Sequence, residues 1–324
     1  MERLKYNHEQ TLKPSDIEQR LDFYLYRRLA AYLVRAVLNT SITPNQITLL
    51  SLVLGVSSAI SYVLGFNPIL SALLLLLSVV SDCADGQLAR ARGVGSPRGA
   101  QLDGLADYLV GIILYIAVGY HLKSLFPETY VNIVMLLAII STFLQCYLFD
   151  LVKNLYLSQT EQNFKGGVIT LSEGKTYLKE SKTNRNWLYI ILDGILVIYL
   201  YGTKLIKQFT SQEKLKDDED SPTHIGKETV KVYKDTHRIT MQLWTYLGYS
   251  THLTAFIIAF LLEPFFSGSL IYAFWFTIIP LNLFLIIVGL AKWVAVKQFD
   301  RISRSIPNES EEKDPKSLNL QKHL

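Results

Sequence analysis

Four aspartates stand at fixed intervals near the end of the first third of the chain. The run reads Asp82-Cys83-Ala84-Asp85-Gly86-Gln87-Leu88-Ala89-Arg90, followed by Gly99, Asp103 and Asp107. Asp82 and Asp85 are three positions apart and Asp103 and Asp107 four apart, so on helices each pair projects from one face. Both pairs border strongly apolar segments, where uncompensated carboxylates are costly, and their gathering points to a cation-assisted site. Four carboxylates make an oxygen-rich, negative pocket suited to hard divalent ions such as Mg²⁺ or Mn²⁺, with enough charge for two. Paired ions, typically about 3.5–4 Å apart, clamp the oxygens of a phosphoryl centre during in-line displacement, which predicts a diphosphate-bearing substrate. Gly86 removes a side chain where such a group would approach the helix backbone, Arg90 one turn on offers a planar fork to phosphate, and Gly99 lets the intervening loop turn tightly. Anchoring at a membrane interface does not account for the set, because acids at the start of a helix suit its dipole but Asp82 and Asp85, at a helix end, oppose it.

The elements that must position these residues are membrane-length. Half of the 324 residues are apolar, and several apolar runs reach the roughly 20 residues that cross a hydrocarbon core. The reading is an all-α integral membrane protein with six transmembrane helices, an N-terminal amphipathic interfacial helix and a cytosolic insertion between helices four and five. Residues 1–16 read as a polar tail with no cleavable signal. Residues 17–42 read as the interfacial helix, with Leu21, Leu25, Leu29 and Leu33 on one side and Arg20, Arg27, Arg28 and Arg35 marking a basic one. Thr43-Pro44-Asn45 stops it and starts the first crossing.

Residues 43–153 hold four crossings, about 46–65, 70–89, 100–122 and 130–152. Arg90, Arg92 and Arg98 lie between the second and third, which places that loop and both acidic pairs at the cytosolic face. Residues 154–238 read as the insertion, with an acidic solvated run at 217–220 and one apolar island at 187–205. Asp193 at the island's centre and basic flanks favour a helix lying along the cytosolic face over a seventh crossing. Residues 239–296 hold crossings five and six, about 241–262 and 270–294, and residues 297–324 a polar tail. Lys292, Lys297, Arg301 and Arg304 put the C-terminus inside with the N-terminus.

The spacing D-x2-D-G-x2-A-R-x8-G-x3-D-x3-D resembles the signature of the CDP-alcohol phosphotransferase (CDP-alcohol phosphatidyltransferase) family, with every fixed position filled. The stretch Pro44 to Thr48 also resembles the segment that caps the family's nucleotide site. The resemblance implies a reaction in which an acceptor hydroxyl displaces CMP from a CDP-linked alcohol, usually CDP-diacylglycerol, in phospholipid synthesis. It implies that Asp82, Asp85 and Asp103 hold one metal and Asp82, Asp103 and Asp107 a second, with Asp107 also the base. It further implies that Asn45, Gln46, Ile47, Thr48, Gly86, Arg90 and Ser96 contact the cytidine diphosphate, and that the protein is a homodimer. Small alcohol acceptors and membrane lipids are the expected partners, and nucleic acid is not.

A cation-binding membrane transporter is the alternative class. It would call for ionisable groups near the midplane and broken helices in paired halves, whereas here the acids collect at one face and no repeat is visible. Elsewhere the bland reading leads. Gly104 and Gly111 read as close-packing positions, Trp244, Trp275 and Trp293 as interface anchors, Lys153 and Arg238 as snorkelling boundary cations, and Cys83 and Cys146 as core. His252, inside the fifth crossing, reads as either a hydrogen-bonded structural group or part of an acceptor site.

Overall fold

The computed structural model describes residues 4, 6–95, 97–160, 171–185, 187–210 and 227–303. Ser96, the acidic run at 217–220 and the tail from 304 lie outside the described residues. The described residues are helical and contain no strand. A short α1 (His8–Thr11) precedes a π-helical turn at Asp22–Tyr26, which continues into α2 (Arg27–Val37). Then come α3 (Pro44–Val63), α4 (Pro68–Arg92), α5 (Pro97–Leu122), α6 (Glu128–Thr160), α7 (Leu171–Thr183), α8 (Trp187–Thr210) and α9 (Lys227–Trp244). The last three are α10 (Tyr249–Leu262), α11 (Leu270–Ile278) and α12 (Pro280–Ser303).

Local chemistry sets the helix ends. Thr43 and Gln46 form a capping box at α3 with Pro44 in its first turn. Asn67 caps α4 ahead of Pro68, and Gly93, at φ 64°, terminates it in the left-handed region. Serines then zip α3 to α4: Ser51 Oγ donates to the Ser78 carbonyl at 2.9 Å, Ser78 Oγ to that of Ser51 at 2.8 Å, and Ser58 Oγ to that of Ser71 at 2.7 Å. A Cβ on Gly55 would lie 2.6 Å from Val110 Cγ1, so its absence lets α5 close onto the pair. The main core joins these three helices to α2, α6, α10 and α11, and a second cluster lies between α6, α9 and α12. Leu49, Leu50, Val53, Ile133, Leu136, Ile286 and Ile287 point outward, the apolar exterior a lipid-facing bundle requires.

Five helices are long and apolar enough to cross a membrane: Pro44–Val63, Pro68–Arg92, Asp103–Leu122, Glu128–Thr160 and Leu270–Ser303. A sixth exists if Glu228–Leu247 and Tyr249–Leu262, bent by 43°, count as one crossing. The unbroken helix expected at 241–262 is therefore divided, at Thr245–Gly248, where Gln19 reaches into the break and its Oε1 would stand 2.2 Å from a Cβ on Gly248. The sixth expected crossing is interrupted at Ile279, between α11 and α12. Gln145 Nε2 donates to the Thr277 carbonyl (3.1 Å) and Asn282 Nδ2 to that of Ile278 (2.9 Å) there, serving acceptors beside the break.

The apolar part of α8 spans Tyr189–Gly202, short of a crossing. Asp193 at its centre is buried and accepts from Ser181 Oγ of α7 at 2.5 Å.

The leading helix differs from its expectation. It runs from residue 20 to 37 rather than 17 to 42, and its buried stripe is Arg27, Ala30, Ala31, Val34 and Val37, not the leucines, of which Leu25 and Leu29 are exposed. The residues before it are docked, not a free tail: Asp16 accepts from Tyr156 Oη (3.0 Å) and from Arg238 Nε (2.9 Å). Arg238 is thus engaged by Asp16, and Lys153 by Asp150, rather than simply snorkelling. Trp244 is buried, while Trp293 is exposed with the Lys297 ammonium 3.5 Å from its ring centre. Both cysteines are buried.

Candidate active site

Asp82 and Asp85 share one face of α4, and Asp103 and Asp107 one face of α5. The tight α3–α4–α5 packing brings the faces together. One oxygen each from Asp82, Asp85 and Asp103 lies within 4.8 Å of the others. Asp103 thereby meets both carboxyls of α4, and Asp107 shares a cavity wall with Asp82, so the four acids adjoin one another. Asp107 lies outside that three-oxygen cluster. With Asp82 it lines a cavity of about 10 Å³ whose other walls include Ser51, Ser78, Tyr249 and Ser250. That volume admits about one water-sized particle.

The donor set tests the metal expectation. All donors are carboxylate oxygens, their repulsion needs a shared positive charge, and Asp103 Oδ1 is buried without a hydrogen-bond partner. These residues fit a hard divalent cation.

Neighbouring groups fix the cluster. Thr48 Oγ1 of α3 donates to Asp85 Oδ2 at 2.5 Å, and both residues are buried. The Tyr249 hydroxyl, at the start of α10, donates to the Asp107 carbonyl and occupies the space that a Cβ on Gly111 would enter, 2.9 Å away. Gly111 therefore is a close-packing position; Gly104 is not, since nothing lies within 4 Å of its Cβ site.

The remaining expected site residues divide. Gly86 is overlain by Arg90, whose Nη1 and Nη2 would be 3.4 and 3.5 Å from a Cβ there. Arg90 Nε donates to the Thr11 carbonyl at 2.6 Å while its Nη2 is buried without a partner. Asn45 is exposed in the first turn of α3; Gln46 spends its side chain on the cap, accepting from the Thr43 N–H at 2.9 Å; Ile47 is buried in the core. His252 lies in a buried knot with Thr277 (3.3 Å), Thr142 (3.5 Å) and, through them, Tyr115, rather than with the aspartates.

Sequence reasoning missed a buried polar layer packed beside the Cys83 stretch of α4. Arg27 Nε donates to Glu18 Oε1 at 2.7 Å, and its Nη1 to the Cys83 carbonyl at 3.5 Å. Burial pushes the Glu18 carboxyl up, but Arg27 and Lys13 outweigh it and hold the pKa below the ordinary value. Asp22, in the π turn, is raised by burial. Lys13 is exposed by area, yet surrounding protein displaces bulk water from it, and this desolvation together with Arg27 lowers its pKa. A readable signal existed for Arg27, which falls on the same helical stripe as Ala30, Ala31 and Val34.

An all-helical membrane bundle with a carboxylate cluster between two neighbouring spanning helices is the class of protein this geometry defines. Residues 41–192 match the model of the CDP-alcohol phosphatidyltransferase family. The chain is 36% identical over 107 residues (33% of this chain, 23% of the relative) to the Bifunctional IPC transferase and DIPP synthase of Aquifex aeolicus. It is 42% identical over 71 residues (22% of this chain, 16% of the relative) to the protein of the same name from Rubrobacter xylanophilus. An uncharacterized protein of Aquifex aeolicus is 38% identical over 119 residues (36% of this chain, 59% of the relative). In each case the match spans less than two thirds of the relative's length.

Proposed function

We propose that this chain is a membrane-embedded, divalent-metal-dependent transferase that moves a substituted phosphate from a CDP-alcohol to the hydroxyl of a second alcohol and releases CMP. The observation that carries the reading is the convergence of Asp82, Asp85 and Asp103, from two helices, on one point, with a buried unpaired oxygen on Asp103. Asp82, Asp85 and Asp103 would hold one cation, and Asp82, Asp103 and Asp107 a second. Bound there, the cations would neutralise charge on the diphosphate and on departing CMP.

The chain's own groups supply the rest. Asp107, at the small cavity, accepts the proton of the attacking hydroxyl. Arg90 directs its buried Nη2 toward phosphate, and Asn45, Gly86 and Ser96 border the nucleotide. Thr48, whose hydroxyl is committed to Asp85, orients a ligand rather than the cytidine. CDP-diacylglycerol is the proposed donor, a homodimer the proposed assembly, and phospholipid synthesis the process. The proposed orientation has the site at the cytosolic face and both termini inside, a reading supported by Arg90 and Arg92 in the last turn of α4 and Arg301 in that of α12.

The test is a screen of the purified full chain with CDP-diacylglycerol, Mg²⁺ or Mn²⁺ and a panel of alcohols, scored by CMP formed. Turnover that needs the metal and disappears in Asp107→Asn supports the proposal. Cation flux without CMP formation supports the transporter instead.

A further inference from the structure

The segment between α1 and the π turn has the composition of a solvated tail yet is fastened across the aspartate-bearing end of the bundle. Arg90 Nε holds the Thr11 carbonyl at 2.6 Å. The Lys13 N–H donates to Glu18 Oε2 at 2.9 Å, while Glu18 is itself ion-paired to Arg27 with side-chain exposures of 2% and 4%. Asp16 is held by Tyr156 and Arg238, and Gln19 Oε1 accepts from the Ser250 N–H at 3.3 Å. Attachments to α2, α4, α6, α9 and α10 exceed what a tail needs, and burying Asp16 and Glu18 is costly without a return.

What this strap delivers is Lys13. Its ammonium has no hydrogen-bond or ion-pair partner among the described residues. The charges it feels are those of Arg27, Lys153 and Arg90 on one side and of Glu18, Asp22 and Asp103 on the other. Arg90 Nη2, in the same neighbourhood, is also without an acceptor. Clustered cations with unused donors repel one another and gain when an anion joins them. Each of the other basic groups nearby is spoken for, Arg27 by Glu18 and Lys153 by Asp150.

We propose that Lys13 is a substrate-binding residue, carried on the N-terminal strap, that together with Arg90 receives a phosphate group at the mouth of the aspartate site. This rests on the transferase reading. Once the aspartate charges are neutralised by the cations they would hold, an incoming phosphate needs its own counter-charge, and Lys13 and Arg90 supply it. The phosphate has two sources: the diphosphate of the CDP-alcohol, or a phosphate carried by the acceptor.

Calorimetric titrations on the full chain in detergent with Mg²⁺ separate them. One arm titrates CDP; the other titrates inorganic phosphate into protein saturated with CMP. Lys13→Gln is expected to weaken one arm by about 10- to 100-fold, the value of a lost hydrogen bond to a charged group, while Lys13→Arg stays near wild type. Weakening in the CDP arm assigns the diphosphate, and weakening in the phosphate arm assigns an acceptor phosphate. Equal affinity of Lys13→Gln and wild type in both arms overturns the proposal. Should Lys13→Gln not fold, acylation of Lys13 in the wild type, read by mass spectrometry, replaces it: protection by CDP or phosphate supports the assignment, and unchanged labelling overturns it. A wild type that binds neither CDP nor phosphate refutes the transferase reading itself; CDP binding lost in Asp85→Asn but untouched at Lys13 refutes only this inference.

Discussion

Replacing Thr48 by valine removes one hydroxyl while keeping the side chain's shape. In the structure that hydroxyl donates to Asp85 Oδ2 at 2.5 Å in a buried setting, so no water stands ready to replace it. A hydrogen bond to a charged group contributes about 1.5–3 kcal/mol. At about 1.4 kcal/mol per decade this is roughly 10- to 100-fold, matching the loss typical when a metal ligand's supporting partner is removed. The expected outcome is a rise of that size in the Mg²⁺ concentration giving half-maximal CMP release, with the KM for the CDP-alcohol measured at saturating Mg²⁺ little changed. Thr48→Ser, which restores the donor, should recover most of the loss. The assay is initial-rate CMP formation across a Mg²⁺ series at fixed substrates. An unchanged Mg²⁺ midpoint in Thr48→Val, or a shift confined to the CDP-alcohol KM, would refute the reasoning and return Thr48 to a direct nucleotide contact.

Three further outcomes follow from the packing and the charges. Gly111→Ala places a Cβ 2.9 Å from the Tyr249 hydroxyl that holds the Asp107 carbonyl, so it should cost about 1–3 kcal/mol of stability and slow CMP release, measured by melting in detergent and by rate. Ser181→Ala strips the buried Asp193 of its hydrogen bond and should lower the melting temperature by an amount corresponding to about 1–3 kcal/mol, without altering the Mg²⁺ midpoint. The Glu18 carboxyl has a folded pKa below 4.5, so its contribution is present above 4.5 and fades as pH falls through the lower, folded value. Hydrogen exchange of residues 11–19 should therefore accelerate on acidification below that point, and Glu18→Gln should remove the dependence.

The aspartate set was legible because its information is local: three- and four-residue spacings put each pair on one helix face whatever the rest of the chain does. Crossings one to four were legible for a related reason, since continuous apolar runs of membrane length have few alternatives. The break at Thr245–Gly248 was hidden inside such a run, where hydropathy is blind to backbone geometry, and Gly248 was its one local sign. The docking of residues 11–19 could not be seen locally at all. Asp16 is satisfied by Tyr156 and Arg238, 140 and 222 positions away, so a polar stretch that looks solvated on its own is buried by distant partners. Gln46, which matches a binding motif, has a second local role that the motif did not reveal, since its side chain caps its own helix.

The central claim is that the carboxylates of α4 and α5 jointly hold a divalent cation. The most direct measurement is anomalous scattering from crystals of the full chain grown with Mn²⁺ and CDP. A manganese peak bounded by Asp82, Asp85 and Asp103, absent in Asp85→Asn, is the expected result. Density for CDP with no manganese between these side chains, or manganese bound only elsewhere, would contradict it.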